Sequence, residues 1–159
     1  MIHVFLSFLG SFLGYFIGKS TQEELEVSKI YFRILEVVIL FILVLIFLFN
    51  NFNLWLFLIG IVVAFFLKFE YLYFGLGLVS SFLSKDLTFL SSILVFIYGL
   101  PYGSLLFIEK KWIILFYNLL FFFIAFVFYF INFNILSFVS GALLCLFVLK
   151  LYKLINDLR

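Results

Sequence analysis

Long apolar stretches separated by short polar segments run through the whole chain. The apolar runs have roughly 16 to 21 residues each, and small groups of Lys, Glu, Asn and Gly interrupt them. Such a run crosses, or nearly crosses, the hydrocarbon core of a bilayer, because a transmembrane helix needs about 20 apolar residues. The pattern predicts an all-α polytopic membrane protein of about seven short transmembrane helices, at residues 2–18, 22–49, 52–67, 70–84, 87–108, 111–131 and 133–154.

The composition favours lipid rather than water as the surroundings of this chain. Hydrophobic residues make up 68% of the 159 residues and charged residues only 11%, whereas a soluble domain has about 25% charged residues. One cysteine, Cys145, excludes a disulfide within the chain, and a lone histidine, His3, argues against a zinc site. We therefore expect no metal and no cofactor. The basic residues are too scattered for a nucleic-acid partner.

Two similar segments indicate an internal duplication. The sequence NFNLWLFLIG at 51–60 resembles NFNILSFVSG at 132–141, and each segment leads to a lysine, Lys68 or Lys150. Chance similarity between Phe- and Leu-rich segments is the alternative, but it does not explain the shared Asn-Phe-Asn triplet. We predict a single membrane domain over residues 1–159. It consists of a first three-helix repeat at about 2–68, a linker helix at about 70–84 and a second three-helix repeat at about 86–150.

The segment from Tyr71 to Ser84 decides between six and seven crossings. It has 14 residues and no charge, which is short for a spanning helix. With seven crossings, nine of the ten basic residues lie on one side and only Lys85 on the other, whereas six crossings divide them five against five. Because basic residues concentrate in cytoplasmic loops, the count favours seven helices and two parallel repeats. The alternative is six helices, as inverted repeats with a re-entrant segment at 71–84.

The same rule predicts the location and orientation of the chain. We expect a multi-pass protein of the cell membrane, with the N-terminus outside and the C-terminus in the cytoplasm. Lys68 and Glu70 are interpreted as topology signals in a tight cytoplasmic turn. The expected partner is the lipid bilayer, with a second copy of the chain or other membrane proteins as further candidates.

Ionisable side chains within the predicted helices are few, and they are functional candidates because charge is costly in a membrane. Arg33 and Glu36 lie three residues apart in the second helix, so they share a helix face and can pair. In the repeat alignment Glu36 falls opposite Asn118, so these three side chains form a candidate polar path at the repeat interface. The alternative is an interfacial ion pair together with an interhelical hydrogen bond.

Small residues mark two further features. Three glycines recur every four positions in the first helix: Gly10, Gly14 and Gly18. This spacing lets helix backbones approach closely, so helix packing is their predicted role. The sequence GLPYG, with Gly99, Pro101 and Gly103, predicts a break in the fifth helix, because proline frees a backbone carbonyl and interrupted helices mark binding sites in many transporters. A plain kink is the alternative.

Together these features favour a small transporter or channel-like protein for a small solute, with a path at the repeat interface. One alternative is a non-catalytic membrane subunit or scaffold that binds other membrane proteins, and another is a lipid-modifying membrane enzyme. No catalytic residue is identified, since the chain has no Ser/His pair, HExxH motif or glycine-rich phosphate loop. Enzymatic activity is left open and is not favoured.

The plan of three helices, one linker and three helices, with the N-terminus outside, resembles the sugar and amino-acid transporters of the SWEET and PQ-loop type. The resemblance covers the arrangement only, because the helix prolines and Pro-Gln motif of that group are missing and Pro101 is the sole proline. The stretch from Leu9 to Lys19 also resembles the first helix of the bacterial seven-helix glycerol-phosphate acyltransferases, whose polar phosphate-binding loops have no counterpart here. We assign the chain to neither family.

Overall fold

The computed structural model of the chain describes residues 2–50, 52–127 and 135–158, and these residues form seven α-helices. In chain order the helices are α1 Ile2–Ser20, α2 Gln22–Phe49, α3 Leu54–Phe66, α4 Glu70–Ser80, α5 Lys85–Ile108, α6 Trp112–Val127 and α7 Leu136–Leu158. A short 3₁₀ turn, Ser81–Leu83, follows α4. The all-α class and the helix number predicted from the sequence are therefore confirmed.

The helix boundaries differ from the predicted ones mainly at α4 and α7. The fourth α-helix ends at Ser80 because the chain tightens there into the 3₁₀ turn, whereas the prediction ran to residue 84. The last helix continues to Leu158, four residues beyond the predicted end at 154. The predicted end of α6 at 131, the predicted start of α7 at 133 and the second Asn-Phe-Asn triplet lie outside the described residues.

Three helices are long and apolar enough to cross a membrane: Ser28–Phe49 within α2, Lys85–Ile108 and Leu136–Leu158. Large apolar side chains on the outside of the bundle, such as Trp55 and Phe66, are more than three-quarters exposed. Lipid solvates such a surface, whereas water would not. The structure therefore agrees with a membrane location for this chain.

The α1 and α5 helices pack side by side along most of their length. A Cβ built on Gly10 would lie 2.1 Å from the carbonyl oxygen of Phe96, and one on Gly14 would lie 2.1 Å from that of Leu100. Only glycine permits this approach of two backbones. Because the contact positions advance together along both helices, α1 and α5 run in the same direction.

The α3 and α7 helices form a second close pair. The hydroxyl of Ser137 accepts a hydrogen bond of 2.8 Å from the backbone N–H of Asn53, which joins the beginnings of the two helices. A Cβ on Gly60 would lie 2.0 Å from the carbonyl oxygen of Phe138, and one on Gly141 would lie 2.1 Å from that of Phe57. These two helices also run in the same direction, and their glycine contacts are reciprocal.

The predicted break in the fifth helix is wrong. The α5 helix runs without interruption from Lys85 to Ile108, and Pro101 lies inside it. The flanking glycines press against α1 instead, where a Cβ on Gly103 would lie 2.0 Å from the carbonyl oxygen of Ser11. Packing against α1 along this stretch holds α5 helical although Pro101 removes one backbone hydrogen bond.

The α4 helix forms the centre of the bundle. It has only 11 residues, which gives a length of about 16 Å, and nearly all its side chains are buried between α6, α7 and the neighbouring helices. Tyr71, Tyr73 and Phe74 are fully buried. A helix enclosed by other helices does not have to match the lipid thickness by itself, so the shortness that left its role ambiguous in the sequence is compatible with this central position.

Candidate functional site

A buried ion cluster centred on Lys150 is the main polar feature of the described helices. The ammonium nitrogen Nζ of Lys150 donates a 3.0 Å hydrogen bond to Oε2 of Glu36 and lies 3.0 Å from Oε1 of Glu70. The residues come from α7, α2 and α4 respectively. One cation therefore joins three helices that are distant in the sequence.

Two tyrosines of α5 complete the surroundings of the ammonium group. Lys150 also donates to the hydroxyl of Tyr98, which in turn donates to Oε2 of Glu70. The Lys150 Nζ lies 5.0 Å from the ring centroids of both Tyr98 and Tyr102, within cation–π range. Hydrogen bonds and aromatic rings thus replace the hydration shell that the lysine loses on burial.

Asn118 of α6 connects to this cluster through Tyr102. Its side-chain Nδ2 donates a 3.0 Å hydrogen bond to the Tyr102 hydroxyl. Asn118 is buried, so the bond satisfies a polar group that would otherwise be costly inside the bundle. The cluster therefore draws one or more residues from each of α2, α4, α5, α6 and α7.

Local structure explains how the carboxylates are placed. Glu70 occupies the first turn of α4, where the positive end of the helix dipole favours a negative charge. Glu36 lies in the middle third of α2, and Lys150 lies about two turns before the end of α7. Since α2 and α7 pack against each other, the two side chains meet inside the bundle instead of reaching the surface.

The charges of the cluster do not balance when all groups are ionised. Two carboxylates, Glu36 and Glu70, face one ammonium group, Lys150, which leaves one negative charge. One carboxylate oxygen is also without a partner: Oε1 of Glu36 has an exposed area under 1 Å² and no hydrogen bond within the described part of the chain. An uncompensated carboxylate in such surroundings costs several kcal/mol.

A cavity of about 210 Å³ lies against the cluster. Glu36, Glu70, Tyr102 and Lys150 line its inner part. The rest of its lining comes from the middle of α2, the ends of α5 and α7 and the start of α6, namely Arg33, Val37, Leu105, Leu106, Glu109, Lys111, Ile114 and Lys153. Both charged and apolar walls therefore enclose a space large enough for several water molecules or a small solute.

Ion pairs surround the outer end of the cavity. Arg33 pairs with Asp157 and lies 3.5 Å from a carboxylate oxygen of Glu109. Lys111 and Lys153 approach Glu109 at 2.6 and 3.7 Å. Partial burial raises the pKa of the Glu109 carboxyl, but the hydrogen bond from Lys111 and the three neighbouring cations outweigh it and hold that pKa below its usual value. Glu109 is therefore ionised at neutral pH and joins α2, α5 and α7.

The structure rearranges the pairing that the sequence predicted. The candidate Arg33–Glu36 pair does not form, because Arg33 binds Glu109 and Asp157 while Glu36 binds Lys150. Spacing along one helix allowed the pair, but partners on other helices lie closer. Glu36 and Asn118 are brought into one network, with Lys150 and Tyr102 between them.

Several site residues were missed by sequence reasoning. Glu70 was interpreted as a topology signal in a turn, yet its side chain is only 13% exposed and contacts Lys150. Lys150 was used as the end of a repeat, although it lies inside the predicted seventh helix and was a detectable signal for that reason. Tyr98 and Tyr102 gave no signal, since tyrosines are common in this aromatic-rich chain.

The glycines identified in the sequence lie elsewhere. Gly10, Gly14 and Gly18 of α1 lie against α5, and Gly99 and Gly103 of α5 lie against α1. Their place is a helix–helix contact, and Pro101 is buried in the same stretch. None of these residues lines the cavity. Within residues 2–50, 52–127 and 135–158, no group of three or more His, Cys, Asp or Glu side chains could hold a metal ion.

Comparison with known proteins does not assign the chain to a family. No protein-family model, no curated protein and no solved structure matches the chain. Functional inference therefore depends on the geometry of the buried cluster and its cavity.

Proposed function

We propose that this protein is a small multi-pass transporter that binds a small solute in the cavity beside Lys150. The observation that carries the proposal is the cluster of Glu36, Glu70 and Lys150, held inside a bundle whose surface suits lipid. Ionisable groups in a membrane are costly and face solute pathways in most proteins that keep them. Packing alone would be served by apolar side chains of similar volume.

The directions of the helices support seven crossings. Helices α1 and α5 run in the same direction, which requires an odd number of membrane crossings between them, so α2, α3 and α4 must all cross. A re-entrant α4 would make α5 antiparallel to α1. Seven crossings place nine of the ten basic residues on one side, and that side is the cytoplasm by the positive-inside rule. The cavity then opens to the cytoplasm and the N-terminus lies outside.

The glycine contacts support two parallel three-helix repeats. The reciprocal pairs Gly60 with Phe138 and Gly141 with Phe57 differ by 81 positions in both comparisons, which is also the spacing of the Asn-Phe-Asn triplets. This is the arrangement expected of two copies related by an axis along the membrane normal. In that arrangement α2 corresponds to α6, so Glu36 and Asn118 belong to equivalent helices on either side of the site.

A transport cycle also needs a moving element, and α5 is the candidate. It supplies Tyr98 and Tyr102 to the cluster, and it contains Pro101, which removes one backbone hydrogen bond next to Tyr102. Bending of α5 at this residue would move Tyr102 away from Asn118 and open the inner end of the cavity.

Flux into vesicles tests the proposal. The purified protein is reconstituted into proteoliposomes, and counterflow is measured for a panel of labelled hexoses and amino acids, the solutes carried by transporters of similar plan. We expect protein-dependent flux of at least one solute. Lys150→Met should abolish it, whereas Lys85→Gln, which removes an exposed lysine at the other end of α5, should leave it unchanged. Equal flux in wild type and Lys150→Met would overturn the site assignment.

No feature of the described structure specifically favours the alternative function, a scaffold that binds other membrane proteins. Exposed aromatic side chains motivated it, but lipid requires the same surface, so that surface favours neither function.

A further inference from the structure

One buried carboxylate oxygen of Glu36 has no hydrogen-bond partner among the described residues. Oε2 of this carboxylate is bound by Lys150, while Oε1 has an exposed area under 1 Å² and no hydrogen bond to any residue that the structure describes. Buried carboxylate oxygens are normally satisfied by a donor or a cation. The cluster also carries one negative charge in excess when Glu36 and Glu70 are both ionised. Both features would be relieved by one additional positive charge at Oε1.

The size of the space decides which cation fits. An atom with so little exposed surface offers no room for a water-sized or larger donor, so an ammonium group or a hydrated metal ion cannot reach Oε1 without moving the helices. A proton needs no such room. Protonation converts an unpaired charge into a neutral hydroxyl, and a buried neutral polar group costs far less than a buried ion.

We propose that Glu36 holds an exchangeable proton on Oε1, and that this proton is the coupling ion of the transport proposed above. The coupling role of this proton rests on the proposed function, whereas the proton site rests on the geometry of the cluster. Binding changes the formal charge of the three-residue cluster from −1 to 0. One O–H bond breaks in a hydronium ion of the cavity, which becomes water, and one O–H bond forms on the Glu36 carboxyl group that lines the cavity. Rotation of the carboxyl group then places the proton at Oε1, where no water molecule fits.

Every helix around Glu36 contributes to the balance that favours one proton. The charged and titratable groups that face it are Lys150 of α7, Glu70 and Tyr71 of α4, Tyr98 and Tyr102 of α5, and Arg33 one turn earlier in α2. Arg33 is engaged by Glu109 and Asp157. Among the described residues, Lys150 is therefore the one cation bonded to Glu36, and it is shared with Glu70.

The cavity provides the route for the proton. The Glu36 side chain lines its inner end, and the ion pairs of Arg33 and Glu109 lie at its outer end. Water in a space of about 210 Å³ can form a hydrogen-bonded chain. When the proton leaves, the extra negative charge strengthens the ion pair between Glu36 and Lys150. The ion pair between Glu70 and Lys150 becomes weaker as a result. Proton binding and the position of α4 relative to α2 are coupled in this way.

Infrared spectroscopy of the reconstituted protein tests the proton site without any solute. At neutral pH the wild type should show the carbonyl stretch of a protonated carboxylic acid, shifted to lower frequency in D₂O. Glu36→Gln should lose this band. Asp86→Asn, which removes an exposed carboxylate at the far end of α5, should retain it. Retention of the band in a folded Glu36→Gln protein would overturn the assignment.

A second variant keeps the test decisive if Glu36→Gln does not fold. Glu70→Gln removes the competing carboxylate and leaves Glu36 and Lys150 as a balanced pair, so the band should also disappear at neutral pH. A band that survives in Glu70→Gln contradicts the charge-sharing argument. Loss of the band in Glu70→Gln with its retention in Glu36→Gln would place the proton on Glu70 instead. If solute flux is observed but no such band exists, the proton proposal fails and the transport proposal stands.

Discussion

Replacing Lys150 by methionine tests whether this lysine is a buried ion-pair partner that stabilises the bundle or belongs to an exposed ion pair that contributes little. The substitution keeps the length and apolar volume of the side chain but removes the ammonium group that binds Glu36 and Glu70. Glu36 is 5% exposed, so its carboxyl group loses the ammonium group that binds it without gaining water. Breaking a buried pair by removal of one partner costs about 3–5 kcal/mol of unfolding free energy.

Unfolding in mixed micelles with increasing SDS measures this cost, with helix content followed by circular dichroism. Lys153→Met is the matched control, because Lys153 lies on the same helix, approaches Glu109 at 3.7 Å and has a side chain 59% exposed. Such an exposed pair contributes only about 0–1 kcal/mol. A loss for Lys150→Met no larger than that for Lys153→Met would refute the conclusion that Lys150 is a buried, fully engaged cation.

A rescue variant separates charge from packing in the same assay. When Glu36→Gln and Glu70→Gln are added to Lys150→Met, no buried charge remains unpaired. Neutral replacement of a whole buried ion cluster is often harmless to stability, so most of the lost free energy should return. A triple variant as unstable as Lys150→Met alone would mean that the loss came from shape and not from charge.

Three further substitutions test the contacts that stabilise the helices outside the Lys150 cluster. Gly103→Ala places a Cβ 2.0 Å from the Ser11 carbonyl oxygen, so unfolding in SDS should show a loss of about 1–3 kcal/mol or more from overpacking. Asn53→Ala removes the side chain that accepts from two N–H groups at the start of α3, and should cost about 1 kcal/mol in the same assay. Glu109→Gln should lower the melting temperature at pH 7, and the difference from wild type should vanish as the pH falls through the lowered pKa of Glu109, because its protonation ends the ion pairs.

Each of these changes has an outcome that would contradict it. Gly18→Ala is the control for the α1–α5 contact, since its Cβ would meet Phe107 at 3.1 Å, and it should be milder than Gly103→Ala. Equal losses would show that the close approach at Gly103 is not the cause. A change below about 0.3 kcal/mol for Asn53→Ala would mean that the cap bonds are not formed. A pH-independent difference for Glu109→Gln would exclude its carboxylate as the source of the stability.

The helices could be predicted from the sequence because lipid imposes a simple pattern. Apolar runs interrupted by a few polar residues determine where a chain can cross a bilayer, and seven such runs became seven helices. Boundaries were less predictable at α4, where burial among other helices allows only 11 helical residues. The shortness of 71–84 therefore reflected a central position in the bundle.

The site was only partly predictable, because its bonds join distant parts of the sequence. Glu36 and Asn118 were identified by their polarity within apolar helices, and both belong to the network. The partner of Glu36 lies 114 positions away at Lys150, and neither spacing nor composition specifies such a pair. Glu70 was missed because a carboxylate beside a turn has the same pattern whether it faces water or the interior.

Pro101 illustrates the opposite error. A proline between two glycines predicts a broken helix from local chemistry alone, yet α5 continues through it. The neighbouring helix supplies the packing that local rules omit, since the glycines are used for contact with α1 and not for a turn. Tertiary packing therefore decided the role of this motif.

Cysteine labelling across the membrane tests the central claim most directly, namely that a cytoplasmic cavity leads to a charged cluster within the bilayer. In a Cys145→Ser background, single cysteines replace Leu105, which lines the cavity, and Ile97, which lies on the outside of the same helix. A membrane-impermeant maleimide should label Leu105→Cys in inside-out vesicles and not in right-side-out vesicles, and should leave Ile97→Cys unlabelled in lipid. Labelling of Leu105→Cys only from the outside, or from neither side, would contradict the account.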